Sequence, residues 1–247
     1  MAGFISMRAV PFPDSHAGLM DRVYRRQRYI YDFTRKYYLF GRDRLIAGLA
    51  LAPHSSLIEV GCGTARNLIA IARAYPESRL FGLDASEAML ETARNAVRRA
   101  GLEHRITLAQ GLAEHLTPAQ FGVENFENVL FSYSLSMIPD WRGALAAGSQ
   151  ALSPAGRLHV VDFGDLTGLG RFAERAMRAW LRLFHVTPRV EFLAALEKIT
   201  GKDSNLVLLF GRYAFILSAG KVQKGTGSLI SVADEPHLLA KAFQKSL

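Results

Sequence analysis

The feature that most constrains the fold is residues 57–67, LIEVGCGTARN, in which a short apolar run ends at two glycines. Gly61 and Gly63 remove side chains where the backbone must turn tightly or approach a ligand closely. A helical pattern follows at once, so the segment predicts a strand-to-helix junction. A tight turn would need the same glycines, so this segment alone leaves a structural and a binding interpretation open.

Strand and helix patterns alternate after this junction, which predicts an α/β fold with a mostly parallel sheet. The predicted strands are 56–60, 79–84, 106–110, 128–133, 157–162, 205–210 and 213–218. The predicted helices after the first strand are 67–74, 87–100, 142–152, about 169–184 and about 190–199. Only Gly211 and Arg212 separate the last two of these seven strands, which predicts a terminal antiparallel hairpin.

Three regions follow from this pattern. Residues 1–54 are interpreted as an N-terminal helical appendage, dense in aromatic residues and arginines, with a short helix at 42–52. Residues 55–218 carry the alternating strands and helices and form the predicted main domain. Residues 219–247 are polar and then amphipathic, and the sequence predicts no structure for them.

The residues around the glycines narrow the choice of ligand. Asp84 ends the second strand 21 residues after Gly63, a spacing that suits a carboxylate accepting hydrogen bonds from ribose hydroxyls. Glu59 would repel a pyrophosphate but can receive an ammonium group. Arg66 stands where a dinucleotide fingerprint requires its third glycine. Together these residues disfavour NAD and favour a cationic nucleoside without phosphates.

The E-x-G-x-G motif, the acidic end of the second strand and the terminal hairpin resemble the class I S-adenosylmethionine-dependent methyltransferases over roughly residues 55–218. The resemblance implies a Rossmann-like fold and S-adenosyl-L-methionine as cofactor. The implied cofactor-binding residues are Glu59, Gly61, Cys62, Gly63, Asp84, Ala85, Met89, Gly111 and Leu112. In this assignment the loop glycines line the methionine moiety and Asp84 holds the ribose. Ala85 and Met89 flank the adenine, and Glu114 replaces an aspartate that the family carries after the third strand.

Cys62 is the single cysteine, so no intrachain disulfide forms and a reducing compartment fits. A nucleophilic role is disfavoured because no histidine is near it in the loop, and packing beneath the cofactor explains a small residue better. None of the seven histidines has metal-ligand spacing, so the sequence predicts no metal site.

The fourth strand runs into Ser132 and Tyr133. In the predicted fold, the end of this strand faces the transferred methyl group. Ser132 is a predicted cofactor ligand and Tyr133 the predicted catalytic residue; core packing of Tyr133, with its hydroxyl satisfied locally, has equal weight. The chain lacks the Asn-Pro-Pro-Tyr or Asp-Pro-Pro-Tyr motif of base and glutamine methylases. An aliphatic amine or a carbon acceptor is therefore favoured over a nucleobase.

Residues 20–46, MDRVYRRQRYIYDFTRKYYLFGRDRLI, are similar to the bacterial N-methyltransferases of betaine lipid synthesis (BtaB type), as are residues 184–189 and 212–214. This resemblance implies trimethylation of the homoserine amine of diacylglycerylhomoserine. Tyr31 and Arg35 are the predicted contacts of this segment to the cofactor carboxylate. The alternatives are a phosphatidylethanolamine N-methyltransferase, a quinone C-methyltransferase, a non-catalytic cofactor- or RNA-binding protein and, least favoured, a nicotinamide-dependent reductase.

The formal net charge of +8 is compatible with an anionic membrane, an acidic substrate or nucleic acid. Nucleic acid is disfavoured because no RNA-binding motif is present. The arginines form two clusters, which are either solvated helix faces or membrane-facing surfaces: Arg22, Arg25, Arg26, Arg28, Arg35, Arg42 and Arg44, and then Arg171, Arg175, Arg178 and Arg182. Without a transmembrane window or a signal peptide, the sequence predicts a cytoplasmic enzyme, peripherally associated with the inner membrane, acting on a lipid at an anionic surface. The sequence does not predict an oligomeric state.

Overall fold

The computed structural model describes residues 39–182, 191–192, 196 and 200–221. The predicted helical appendage before residue 39, most of the predicted helix 190–199 and the tail after residue 221 lie outside the described residues.

The order of helices and strands within the described ranges follows the predicted alternation. The elements are α1 (Arg42–Ala47), β1 (Ser56–Val60), α2 (Arg66–Ala74), β2 (Arg79–Asp84), α3 (Glu87–Arg99), β3 (Ile106–Gln110), β4 (Phe126–Ser132), α4 (Trp141–Ala151), β5 (Leu152–Phe163), α5 (Arg171–Arg182), β6 (Thr200–Leu209) and β7 (Ala214–Lys221). Short 3₁₀ turns lie at Ala113–His115, Pro118–Phe121 and Thr167–Leu169. No helix in this part of the chain is long and apolar enough to cross a membrane.

The strands form one seven-stranded sheet in the order β3-β2-β1-β4-β5-β7-β6. The first five in the chain pair in parallel, whereas β7 is antiparallel to both β5 and β6. This confirms the prediction of a mostly parallel sheet with a terminal antiparallel hairpin. The strand order reverses between β1 and β4, and ligands of such sheets bind beyond the carboxyl ends of the strands at that point.

The sheet is buried on both faces. Every residue of β1 is buried, and its neighbours Leu57 and Ile58 belong to two different hydrophobic clusters. Because successive side chains of a strand point to opposite faces, each cluster packs one side of the sheet. The Ser86 hydroxyl accepts a hydrogen bond from the Met89 backbone N–H at 3.3 Å, so Ser86 is the N-cap of α3.

Several boundaries differ from the prediction, most of all at the first helix and at β5 and β6, which each begin five residues earlier than predicted. The predicted helix 42–52 ends at Ala47 because Gly48 caps it and Ala50 takes a left-handed conformation with φ 48°. Residues 154–156 do not form a turn before β5 but lie within it. Phe126 pairs with Leu152 and Asn128 pairs with Arg157, so the residues between Leu152 and Arg157 form a bulge in the pairing of β5 with β4.

Candidate active site

A cavity of about 620 Å³, open to solvent, lies at the carboxyl ends of the parallel strands. Its lining residues are Val60, Gly61, Gly63, Leu83, Asp84, Ala85, Met89, Gly111, Leu112, Ala113, Glu114, Tyr133, Ser134, Met137 and Ile138. Eight of the residues singled out from the sequence as catalytic or cofactor-binding therefore meet at one place: Gly61, Gly63, Asp84, Ala85, Met89, Gly111, Leu112 and Tyr133.

The glycine loop passes very close to the end of β4. Gly61 has φ 77°, and a Cβ added there would lie 2.6 Å from the Ser134 Cβ. The Gly61 N–H donates to the Leu83 carbonyl at 2.7 Å, which fixes the loop to the end of β2. No other residue type fits both this backbone conformation and this close approach, so the glycine shapes the floor of the cavity.

Asp84 is oriented by the backbone around it. One carboxylate oxygen accepts the Gly63 N–H at 2.8 Å and the other accepts the Ser86 N–H at 2.9 Å. A carboxylate oxygen can accept more than one hydrogen bond, and Asp84 lines the cavity. This arrangement suits the hydroxyl-binding role that the sequence predicts for Asp84.

Glu59 and Ser132 support the loop from below and do not line the cavity. The Asn67 side-chain amide donates to the Glu59 Oε1 at 2.6 Å and to the Ser132 hydroxyl at 3.1 Å. Asn67 thus joins β1, β4 and the first turn of α2, a role that the sequence analysis did not recognise although Asn67 belongs to the glycine motif. Direct cofactor contact by Glu59 and Ser132 stays a prediction.

The Cys62 side chain also points beneath the loop. Its sulfur lies 2.8 Å from the position that a Cβ on Gly82 would take, which places it against β2. Burial, together with the negative charges of Asp84 and Glu59, raises the pKa of the Cys62 thiol. A neutral, buried thiol is a poor nucleophile, so this geometry favours the packing interpretation.

Tyr133 lines the cavity in a strained, left-handed conformation with φ 54° and is only 2% exposed. Its hydroxyl donates a hydrogen bond to the Phe40 carbonyl. Burial, with the charge of Asp162 as the next cause, raises the pKa of Tyr133. The phenol therefore keeps its proton, and the geometry favours anchoring of the segment around Phe40 over proton abstraction; a catalytic role stays a prediction.

Ser134 is the lining residue that the sequence analysis missed and that bears most directly on a ligand. Its hydroxyl is buried, and no described atom forms a hydrogen bond with it. A buried hydroxyl without a partner costs about 1–3 kcal/mol, so its place beside the glycine loop indicates a polar ligand group. The serine-rich run that follows β4 was the available signal in the sequence.

A buried carboxylate holds the segment that carries Ser134. Asp162, fully buried at the end of β5, accepts the Ser136 N–H at 3.1 Å and the Phe163 N–H at 2.8 Å. Burial raises the pKa of Asp162 to about 6, against the opposing effect of these hydrogen bonds.

Two predicted cofactor contacts, Tyr31 and Arg35, lie outside the described residues. Among residues 39–182 and the later described positions, no group of three or more histidine, cysteine, aspartate or glutamate side chains could hold a metal ion.

The cavity fits a nucleoside carrying a polar, cationic chain, since it combines a glycine loop, a backbone-oriented carboxylate and an unsatisfied buried hydroxyl.

Residues 57–156 match a family described as a methyltransferase domain. The ubiquinone/menaquinone biosynthesis C-methyltransferase UbiE of Syntrophotalea carbinolica is 31% identical over 182 residues, 70% of this chain and 69% of that protein.

A demethylmenaquinone methyltransferase of Bacillus cytotoxicus is 32% identical over 119 residues, so this chain spans about half of its length, 48% of each. The crystal structure of a SAM-dependent methyltransferase from Aquifex aeolicus has a TM-score of 0.58 at 15% identity, and the match covers 76% of this chain and 93% of that one. The extent of the first relative, together with this shared fold, shows that the chain belongs to the class I S-adenosylmethionine-dependent methyltransferases and uses S-adenosyl-L-methionine as its cofactor.

Proposed function

We propose that this methyltransferase trimethylates the amine of diacylglycerylhomoserine and so forms the betaine lipid diacylglyceryl-trimethylhomoserine. The observation that carries the proposal is the acid–base character of the cavity. Among the described lining residues the titratable side chains are Asp84, Glu114 and Tyr133, and the Tyr133 phenol keeps its proton. An amine needs no strong base, because a free α-amino group has a pKa of about 8 and is partly neutral near pH 7.

S-adenosylmethionine supplies a methyl group on a sulfonium whose sulfur leaves readily. In this proposal Asp84 and the loop around Gly61 and Gly63 hold the nucleoside. The Ser134 hydroxyl forms a hydrogen bond with the polar chain of the cofactor. Met137 and Ile138 add an apolar wall that excludes water from the line of attack. Alignment of this kind contributes roughly 7–11 kcal/mol to lowering a barrier.

The N-terminal segment supports an amine acceptor that becomes a quaternary cation. Residues 20–46 resemble the betaine-lipid enzymes and are rich in tyrosine. A cation over a tyrosine ring gains about 0.5–2 kcal/mol. The net charge of +8 supports action at an anionic surface, and we place the enzyme at the cytoplasmic face of the inner membrane.

A second candidate, methylation of a quinone ring carbon, is favoured by the names of the similar proteins from Syntrophotalea carbinolica and Bacillus cytotoxicus. Ring C-methylation requires removal of a phenolic proton. Among the described lining residues, the carboxylates of Asp84 and Glu114 are the groups that could receive this proton.

One assay separates these acceptors. The purified protein is incubated with methyl-labelled S-adenosylmethionine and vesicles that contain diacylglycerylhomoserine, phosphatidylethanolamine or a demethylated prenyl quinol, and the labelled lipids are resolved. We expect label in mono-, di- and trimethylated homoserine lipid. Label confined to the quinol or to phosphatidylethanolamine would overturn the proposed acceptor, and an Asp84→Asn variant serves as the cofactor-binding control.

A further inference from the structure

The outer face of α5 exposes a large apolar side chain among arginines. Phe172 is 90% exposed, and Arg171, Arg175 and Arg182 are exposed on the same side of the helix. The opposite side packs on the protein, where Leu181 is buried and other residues of the helix are half-buried. The helix therefore has an inner apolar stripe that packs on the protein and an exposed outer face that combines cations with an aromatic ring.

The three exposed arginines of α5 form no ion pair within the described ranges, whereas Arg178 on the inner side pairs with Glu174 at 2.9 Å. Exposed arginines beside an exposed phenylalanine can engage an anionic bilayer, the arginines through lipid phosphates and the ring in the headgroup region. A second copy of the same face would bring like charges together, so self-association through it is disfavoured.

α5 is fixed to the loops at the carboxyl edge of the sheet. Arg178 donates to the Asp165 backbone carbonyl at 2.6 Å. The Asp165 carboxylate in turn accepts two hydrogen bonds from the Arg212 guanidinium, one of them at 2.8 Å from Nε. These hydrogen bonds connect the helix to the tip of the β6–β7 hairpin, which Arg212 occupies.

The hairpin tip continues towards the cavity through aromatic side chains. Phe210 is 63% exposed and contacts Phe40, which is 44% exposed. The two rings are tilted against each other, with their centroids 5.0 Å apart. The Phe40 carbonyl receives the hydroxyl of Tyr133, which lines the cavity. Phe40 and Phe210 therefore form an exposed apolar pair between the hairpin tip and the edge of the cavity.

We propose that the enzyme docks on an anionic lipid bilayer through a docking surface made of the outer face of α5 (Arg171, Phe172, Arg175 and Arg182) and the Phe40–Phe210 pair. The arginines contact lipid phosphates, and the phenylalanines enter the headgroup region. This inference rests on the proposed function for its acceptor, which stays in the bilayer and reaches the cavity from this side.

The test measures flotation of the full-length protein with vesicles of phosphatidylcholine, either alone or with about 30 mol% phosphatidylglycerol. This anionic content is sufficient for electrostatic binding. The variants are Arg171→Gln/Arg175→Gln and Phe172→Ala. The matched control is Arg73→Gln/Arg99→Gln, which removes two exposed arginines at the opposite, amino edge of the sheet. Circular dichroism checks that each variant is folded.

We expect wild type and control to float with anionic vesicles only. The α5 double variant should bind about 30-fold more weakly, with a weaker salt dependence because Arg182 remains. Phe172→Ala weakens binding about tenfold with the salt dependence kept. Equal flotation of the α5 variants and wild type, or no flotation of wild type, would overturn the docking surface. Flotation needs no acceptor, so failure of the proposed reaction leaves this test intact; a rate defect on vesicles that disappears with detergent-dispersed acceptor gives a second readout.

Discussion

Two groups of buried polar atoms, at opposite ends of the parallel sheet, differ in how their hydrogen bonds are completed. Towards the amino end, His159 Nε2 donates to Asn128 at 3.1 Å, its Nδ1 accepts from Ser218 at 3.0 Å, and Asn128 donates to the Ser56 carbonyl at 3.3 Å. At the carboxyl end, the Ser134 hydroxyl faces a cavity without a described partner. The first group completes its hydrogen bonds within the protein, whereas Ser134 can pair with a ligand in the cavity. Ser55, at the amino end, is also buried without a described partner but does not line the cavity.

Backbone strain occurs at both ends of the sheet, since His54, just before β1, has φ 62°. Tyr133 and Leu166, neither of them glycine, take positive φ values at the carboxyl end, at 54° and 65°. Such residues cost on the order of 1–3 kcal/mol each and persist only when their surroundings hold them. The comparison teaches that changes at the carboxyl end should alter ligand binding, and changes at the amino end should alter stability alone.

The largest effect is expected from Gly61→Ala at the carboxyl end. The new Cβ would lie 2.6 Å from Ser134 in a left-handed conformation, so we expect a loss of about 3 kcal/mol in the free energy of unfolding and loss of cofactor binding. The control is Gly101→Ala, which has a similar φ of 68° but no atom within 4 Å, and should lose only about 1 kcal/mol. Urea denaturation and calorimetric titration measure both, and equal effects of the two changes would contradict the close-approach argument.

Two buried groups in β5 predict opposite dependences of stability on pH. The pKa of Asp162 is raised to about 6 from 3.8, so its contribution to stability is complete below pH 3.8 and lost as the pH rises through 6. The pKa of His159 is lowered to about 4 from 6.5, so its contribution is present above pH 6.5 and lost as the pH falls through 4. Each shift of about two units corresponds to roughly 3 kcal/mol, and the two effects oppose each other in the wild type.

Relative to wild type, Asp162→Asn should therefore become more stable as the pH rises from 4 to 6, and His159→Gln should become less stable over the same range. Urea midpoints at half-unit steps of pH measure the slopes, and the difference from wild type removes the background from other carboxylates. Parallel curves for all three proteins would show that neither burial effect operates.

Asp84→Asn should weaken binding of S-adenosylmethionine roughly 100-fold and lower the free energy of unfolding by about 1–3 kcal/mol, because the charge is lost and the amide NH2 cannot accept the backbone N–H of Gly63 or Ser86 that it would face. Asp140→Asn is the matched control, since Asp140 also accepts a backbone N–H, from Gly143 at 2.9 Å, as the N-cap of α4. Asparagine caps helices as well as aspartate does. A binding constant for Asp84→Asn within threefold of wild type would remove this carboxylate from the site.

The smallest effect is expected from Arg105→Ala at the amino end. The guanidinium donates to the carbonyls of Ala72, Tyr75 and Ser78, each at 2.7 Å, and so caps the end of α2. Its loss should lower the free energy of unfolding by about 2 kcal/mol and leave the cofactor affinity unchanged. Arg99→Ala, an exposed change on α3, should do neither, and a fall in cofactor affinity with Arg105→Ala would break the division between the two ends.

Local patterns in the chain were sufficient for much of the architecture. The apolar run and glycines at residues 56–63, the Asp84 that ends β2 and the Ser86 cap are short-range features, because strand burial, positive φ and capping depend on a few adjacent residues. They predicted the alternating fold, the terminal hairpin and most of the residues that meet at the cavity.

Contacts between distant segments required the tertiary structure. The Asn67 side chain, which also bonds Glu59, donates to Ser132, 65 residues away in the sequence. The Tyr133 hydroxyl donates to the Phe40 carbonyl, 93 residues away. A sequence records which polar side chains exist but not which will be enclosed together, and enclosure decides whether a serine needs a ligand or an aspartate holds its proton. The sequence by itself thus determined the fold and the place of the cofactor loop, whereas only the packed structure decided how the polar groups around it are partnered, because desolvation depends on every neighbour at once.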